Sequence, residues 1–255
     1  MIIFTISLKG YRDSNEDSHS IILNNKKIYK ELKRFNLFAI YDGHGGSQIS
    51  KYLSEILYKY LMHKGGPSVK VSEKEHNKYI YTTYDHIEKS LERKFNLKQK
   101  AMHCGSTALV LLHYPKINKI KVLNLGDCRA VICNKKNKAI ELTIDHKPNI
   151  PNERNRITKL GGKIYKDGPD YRIEGLSVSR SFGDLDAKPY ISHRPQITNY
   201  KLKKDKFIIL ACDGLWDVFS SQQAIDFVEL CKLVFKIFLV FVHVTSPVYI
   251  FNKLA

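Results

Sequence analysis

The sequence predicts an α+β fold in which helices cover β-sheet, and three observations carry that expectation. Short apolar runs at residues 37–41 and 207–212 each end in an acid followed by glycine. Runs of this length form buried strands. Two helical patterns follow the first of them, at residues 47–62 and 73–97, and a helix pair laid over a sheet face is the simplest arrangement. From Gly105 onward β-rich runs succeed one another with Gly-Asp punctuation.

Taken in order, residues 2–8 read as a strand. The polar turn Gly-Tyr-Arg-Asp-Ser-Asn-Glu-Asp follows at 10–17. It resembles a Ca2+ loop only superficially, because Ser18 stands where such a loop needs Gly and Asn24 where it needs Glu. Residues 19–23 resume a strand, and a Lys-rich stretch leads to the strand at 37–41. That strand opens the run Phe-Ala-Ile-Tyr-Asp-Gly-His-Gly-Gly at 38–46, around which the chain is organised. Asp42 ends it at a fixed depth, and the glycines allow a sharp turn and close backbone approach.

In the first helix Ile49, Leu53, Ile56, Leu57, Tyr60 and Leu61 share one face. Gly65-Gly66-Pro67 ends it. Ile80, Ile87, Leu91 and Phe95 form the stripe of the second. Residues 107–113 and 120–125 are strands. Gly126-Asp127 turns into a strand at 130–133, which reads as a hairpin with Asp127 at its tip. A short helix at 151–160 starts at Pro151 and stops at Gly161-Gly162, with Ile157 and Leu160 facing inward. Residues 163–174 read as polar and irregular with a Gly-Pro turn. A strand over 207–212 ends in Asp213-Gly214-Leu215-Trp216-Asp217. Two strands of one domain that each end in a carboxylate can meet at one sheet edge.

Composition bounds the function. A chain of 255 residues, 43% hydrophobic and 26% charged, is ordinary for a soluble domain. The net charge of +17 raises the question of an acidic partner. Its lysines are spread along the chain rather than clustered, so no nucleic-acid partner is expected. The five cysteines are odd in number and show no Cys-x-x-Cys pair. That fits a reducing compartment, cytoplasm or nucleus, and neither a disulfide framework nor structural zinc. The apolar start lacks a basic n-region, and no secretory signal is expected.

Asp42, Asp127, Asp213 and Asp217 all sit at strand ends or turns. Carboxylates gathered together need cations, and oxygen donors without Cys suit Mg2+ or Mn2+ over Zn2+. Two such ions about 3.5–4 Å apart make a nucleophile of water at neutral pH. Arg12 offers a planar fork for phosphate, and His44 is suited to protonate a departing alkoxide. The reaction class that uses all these parts is phosphate-ester hydrolysis.

Seven stretches then resemble, in order, the metal-dependent serine/threonine protein phosphatases of the 2C type. They are Gly10-Tyr11-Arg12 with Asn15-Glu16-Asp17; Tyr41-Asp42-Gly43-His44-Gly45-Gly46; Gly105-Ser106-Thr107-Ala108; and Leu125-Gly126-Asp127-Cys128-Arg129-Ala130. Next comes Asp145-His146-Lys147-Pro148, continued by Glu153, Arg156-Ile157 and Gly161-Gly162. Leu176 to Asp184 and Asp213-Gly214-Leu215-Trp216-Asp217-Val218 complete the set. The resemblance covers roughly residues 5 to 228. It implies a β-sandwich of two antiparallel sheets flanked by helices, in α-β-β-α layers, with the metals at one edge. It also implies roles: Asp42 as the ligand bridging two Mg2+ or Mn2+ ions, Gly43 a carbonyl ligand, and Asp213 a ligand of the second ion. Glu16 and Asp17 would act largely through metal-bound water, and Asp127 and Asp217 beside a weaker third ion. Arg12 corresponds to the phosphate-binding arginine, His44 to the proposed general acid, and residues near 163–175 to the flap that shapes substrate choice. Segments 179–180 and 146–148 are expected to be structural.

The implied activity is hydrolysis of phosphoserine and phosphothreonine in proteins by metal-bound water, within signal transduction. The expected partners are phosphorylated proteins, with no membrane and a monomeric chain. One departure qualifies this. The family pattern ends in an Asp-Asn pair that opens a last strand and supplies a further ligand, and nothing after Asp217 provides it. The domain is therefore expected over 1–228, followed by an atypical apolar tail at 229–255, with the last strands and the second metal site incomplete and the chain poorly active or unstable. A gene-model or splice artefact, an alternative hydrophobic end and a membrane span compete as explanations of the tail. Lys236, His243 and Pro247 interrupt it and count against the span. The competing functions are a pseudophosphatase that binds phosphopeptides without turnover, and a nucleic-acid phosphoesterase, which would need a clustered basic groove.

Overall fold

The computed structural model describes residues 3–23, 35–63, 72–95, 103–232 and 239–244. The elements run β1 (Phe4–Leu8), β2 (Ser18–Ile22), β3 (Asn36–Tyr41), β4 (Gly43–His44), α1 (Gln48–Leu61) and α2 (Glu73–Phe95). They continue with β5 (Gly105–Ser106), β6 (Ala108–Tyr114), β7 (Lys119–Leu125), β8 (Arg129–Cys133), β9 (Ala139–Glu141) and α3 (Pro151–Lys159). The rest are β10 (Tyr165–Asp167), β11 (Asp170–Arg172), β12 (Phe182–Gly183), β13 (Gln196–Lys201), β14 (Phe207–Ala211), α4 (Asp213–Trp216), α5 (Ser221–Lys232) and β15 (Leu239–Val244).

Two five-stranded sheets pack face to face, ordered β13-β7-β6-β3-β2 and β1-β15-β14-β8-β9. The period of two along β3 explains the layering. Phe38 and Ile40 enter the core between the sheets with Leu109, Leu111, Ala130, Ile132 and Leu210. Leu37, Ala39 and Tyr41 point the other way, onto Leu53 and Leu57 of α1 and Tyr84, Ile87 and Leu91 of α2. On the far side, Leu215, Trp216, Ala224, Ile225 and Val228 of α4 and α5 cover Val131, Phe207 and Ile209. The layers are helix, sheet, sheet, helix, as the resemblance implied.

Several local expectations change. Residues 125–130 do not form a hairpin: β7 pairs with β6 and β13, whereas β8 pairs with β14 and β9 in the opposite sheet. The turn carries the chain between layers, which Gly126 permits at φ 109. Asp127 is consequently 3% exposed instead of standing at a solvent tip. Ile157 packs inward on Ile173, but Leu160 at the end of α3 is exposed. Tyr60 likewise lies at the solvent margin of the α1 stripe. The stretch read as irregular contains the antiparallel hairpin β10–β11, closed at Gly168-Pro169.

In the apolar tail, β15 pairs in parallel with both β1 and β14. Parallel neighbours need a crossover, and α4 and α5 lie between β14 and β15 in the chain. Among the described residues no helix is long and apolar enough to cross a membrane. The Lys-rich stretch at 26–34, the Gly-Gly-Pro break at 65–67 and the other tail positions beyond 232 lie outside the described residues.

Leu53 is fully buried between α1 and β3, whereas Ile56 on the same helix is only half-buried. Leu53→Ala should therefore cost about 2–5 kcal/mol through lost burial and a cavity. Ile56→Ala should cost less than half of that. Urea unfolding monitored by circular dichroism checks the difference.

Candidate active site

Asp42 follows β3 and Asp213 opens α4 directly after β14, so the two acids come from facing sheets and meet at one edge. Ligand atoms of Asp42, Cys212 and Asp213 all lie within 4.8 Å of one another. Backbone bonds fix Asp42 from both sides. Its amide donates to Thr107 Oγ1 at 3.1 Å, and the Thr107 amide donates to the Asp42 carbonyl at 2.9 Å. A side chain at Gly43 would collide with the carbonyl oxygen of Glu16, so only glycine lets the two backbones touch. The Ser50 hydroxyl of α1 donates to that same carbonyl. This contact brings the Glu16-Asp17 turn beside Asp42.

Asp127 is held from the turn behind it. The Gly126 amide donates to His146 Nδ1 at 3.2 Å. Burial pushes His146 down to about 3, so the ring is neutral and can accept that bond.

The carboxylates perturb one another in the manner of a site built for cations. Asp42 is raised well above the usual carboxylate range, first by burial and then by Asp213, Asp17 and Asp127. Burial and then Asp213 push Asp127 up to about 7, while Lys147, with Nζ 3.7 Å from Asp127 Oδ2, pulls it back. Asp213 rises through burial and Asp217, and Asp217 through burial, partly offset by Lys147. Among the described residues no Lys or Arg forms an ion pair with Asp42 or Asp213. Acids left in this condition fit hard divalent cations. The donors are carboxylates plus the tightly packed Gly43–Glu16 backbone, with the softer Cys212 sulfur in the same group.

A cavity of about 480 Å3 opens over this edge, lined by Arg12, Glu16, Gly43 and His44 together with Asp42, Asp127 and Asp213. Arg12 is exposed, and no described carboxylate pairs with it. Arg172 of β11 and residues 175–178 also line it, so the segment expected to act as a flap does border the cavity. Asp17 interacts with Asp42, and Asp217 caps the exposed end of α4; both lie outside that lining.

Sequence reasoning missed several neighbours. Thr107 has no role in the sequence reading, Lys147 lies in the segment expected to be structural, and Cys212 is only one of the five cysteines. Asp184 closes the stretch 176–184 with no role of its own in the sequence, yet it is the partner of His44, with Oδ2 and Oδ1 at 2.8 and 2.9 Å from Nε2. Burial alone would lower the pKa of His44, but the Asp184 carboxylate outweighs it and the net shift is upward.

The family model for protein phosphatase 2C matches residues 3–234. A PP2C-like domain-containing protein of Acanthamoeba polyphaga mimivirus is 51% identical over 121 residues, covering 45% of this chain and 67% of that protein. Human protein phosphatase 1A is 33% identical over 242 residues, which is 88% of this chain and 60% of the human protein. The chain thus spans about 60% of the length of that animal relative. A serine-threonine phosphatase 2C structure from Toxoplasma gondii superposes with a TM-score of 0.74 at 23% identity, covering 88% of this chain and 81% of that one. At that identity the likeness speaks for the fold.

The raised carboxylates make the metal-free protein pH-sensitive. Asp127 is protonated in the fold up to about 7 and ionised in the unfolded chain above its ordinary value. Between those values the native state binds the extra proton, so stability falls as pH rises through that window. The effect is on the order of a few kcal/mol. In chelator-treated protein the thermal midpoint should fall from pH 4 toward pH 7. Asp127→Asn should flatten that slope and raise the midpoint near neutrality.

Proposed function

The chain belongs to the protein phosphatase 2C family, and on that premise we propose that it hydrolyses phosphoserine and phosphothreonine in proteins at a centre of two Mg2+ or Mn2+ ions. The observation that carries this reading is the meeting of Asp42 and Asp213 at one edge, under a cavity that Arg12 and His44 also line. Asp42, Asp213 and the Gly43 carbonyl would hold the ions. Glu16 and Asp17 would support them from the adjacent turn, with Asp127 and Asp217 beside a weaker third ion. When bound, such ions neutralise the clustered charge and lower the pKa of water toward neutrality.

The remaining work falls to side chains of this chain. The Arg12 guanidinium offers two parallel donors to the phosphoryl oxygens. It is exposed at the cavity, so a phosphorylated segment of another protein can reach it. His44 gives a proton to the departing serine or threonine oxygen. Its raised pKa supports that assignment, because the ring keeps its proton closer to neutral pH. Among the described residues the cysteines form no disulfide, in keeping with a reducing compartment such as cytoplasm or nucleus.

A second reading has its own observation. The strand seated beside β14 is Leu-Val-Phe-Val-His-Val and carries no carboxylate. A centre short of one ligand favours a phosphopeptide-binding module without turnover.

Hydrolysis of a phosphothreonine peptide with and without Mn2+ decides between them. The enzyme reading expects Mn2+-dependent turnover that Asp42→Ala abolishes. Retention of phosphopeptide binding without any turnover favours the module. Arg12→Ala should weaken kcat/KM about tenfold or more, since a bidentate charged contact contributes roughly 1.5–3 kcal/mol.

A further inference from the structure

We propose that Asp184 is the positioning residue of His44, holding the imidazole by Nε2 so that Nδ1 is the nitrogen offered to the leaving oxygen of the phosphate ester. The chemistry rests on the phosphatase reading above, and the residues rest on geometry.

The two side chains meet across a three-stranded sheet of two-residue strands, β12-β5-β4. In its register, His44 of β4 and Gly183 of β12 both stand opposite Gly105 of β5. A Cβ at Gly105 would strike both the Asp184 carboxylate and the His44 ring. The glycine therefore leaves the space in which the pair forms.

Asp184 is held more firmly than a chance partner needs to be. It is 1% exposed and lies at φ 46, a region that non-glycine residues enter at a cost. Its amide donates to the Cys104 carbonyl at 2.9 Å, and the Ser181 hydroxyl donates to Oδ2. The preceding Gly183 amide donates to Glu88 Oε2 at 3.2 Å, and Glu88, itself buried on α2, is neutralised by Lys188 at 2.6 Å. Helix α2, the β12 turn and β4 are thereby joined behind the imidazole. Both Asp184 oxygens lie within hydrogen-bond distance of Nε2, so Nε2 donates to the carboxylate. Only Nδ1 is left to face a ligand in the cavity.

In the reaction this arrangement serves, a water oxygen forms the new bond to phosphorus. The bond from phosphorus to the threonine oxygen breaks, and its electron pair stays on that oxygen. The oxygen takes the proton from His44 Nδ1 and leaves as the alcohol. The proton lost by the attacking water returns to His44 through solvent, so the net change is ester plus water to alcohol plus phosphate.

The test compares two esters in the presence of Mn2+: a phosphothreonine peptide, whose alkoxide needs a proton to leave, and an activated aryl phosphate, whose phenolate does not. Asp184→Asn should lower kcat/KM on the peptide by about 10²- to 10⁴-fold, the usual weight of a positioned acid. The aryl ester should lose less than about tenfold, and His44→Ala should show the same imbalance. Ser181→Ala, which only loosens the carboxylate, should move the ratio in the same direction by a few-fold; it carries the test should Asp184→Asn fail to fold. Equal losses on both esters, or an unchanged ratio, would overturn the proposal while leaving the phosphatase reading intact. A wild-type chain that hydrolyses neither ester would overturn both.

Discussion

Repulsion among buried carboxylates is the constraint on which the rest of this structure depends. Two unit charges 4 Å apart repel by about 4 kcal/mol at an effective dielectric near 20. Asp42 and Asp213 approach to that order of distance, and Asp17 and Asp127 press on Asp42 as well. Left to itself such a cluster would spread apart or take up protons. The fold does not let it spread, because each acid is anchored through its backbone. Asp42 is clamped by Thr107, Asp127 sits behind the Gly126–His146 bond, and Asp213 begins a helix whose Trp216 donates to the Ala211 carbonyl at 2.9 Å.

The sandwich supplies the rigidity those anchors need. Phe38 and Ile40 lie between the sheets while Leu37, Ala39 and Tyr41 lie under the helices, so β3 cannot slide by one residue without turning every side chain inside out. Asp42 inherits its depth from that register. The same holds for β14, where Leu210 faces the inner core and Ile209 and Ala211 face α4 and α5. The hydrophobic layers and the acidic edge are thus one design: close packing in the middle fixes charges that repel at the rim.

How much of this was legible in the sequence depended on range. The period of two at residues 37–41 and the four-residue spacing of Leu53, Leu57 and Leu61 are local, and the elements appear where those patterns place them. The alternative partners of a strand are not local. Leu125-Gly126-Asp127 looks like a hairpin turn because two strands flank a Gly-Asp pair, and only the pairing of β7 with β13 and of β8 with β14 shows a crossing between layers. The convergence of Asp42 and Asp213 could be anticipated, since both end apolar runs of the same kind. The pairing of His44 with Asp184, 140 positions apart, could not, because nothing in the Phe-Gly-Asp stretch distinguishes an acid aimed at an imidazole from one that caps a turn. The hairpin of residues 165–172 was hidden by its polarity: its strands lie outside the core, so they carry no apolar alternation to read.

Charge distribution separates the acids that belong to the scaffold from those that belong to the site. Glu153 is buried, but Arg156 and Arg180 fork onto it and Ser179 adds a hydrogen bond at 2.9 Å, so it falls to about 2 and is a fully satisfied anion. Asp145 is taken by Arg129 at 2.7 Å, and Glu88 by Lys188. Asp42, Asp127 and Asp213 move the other way, with Lys147 the one described cation to make an ion pair within this group. The chain carries 42 lysines and arginines against 25 acids, so cations are not scarce. A strongly basic protein that withholds them from its most crowded carboxylates leaves a local negative field inside a positive surface. Among the described residues, the acids at this edge are those whose charge the chain's own cations leave least compensated.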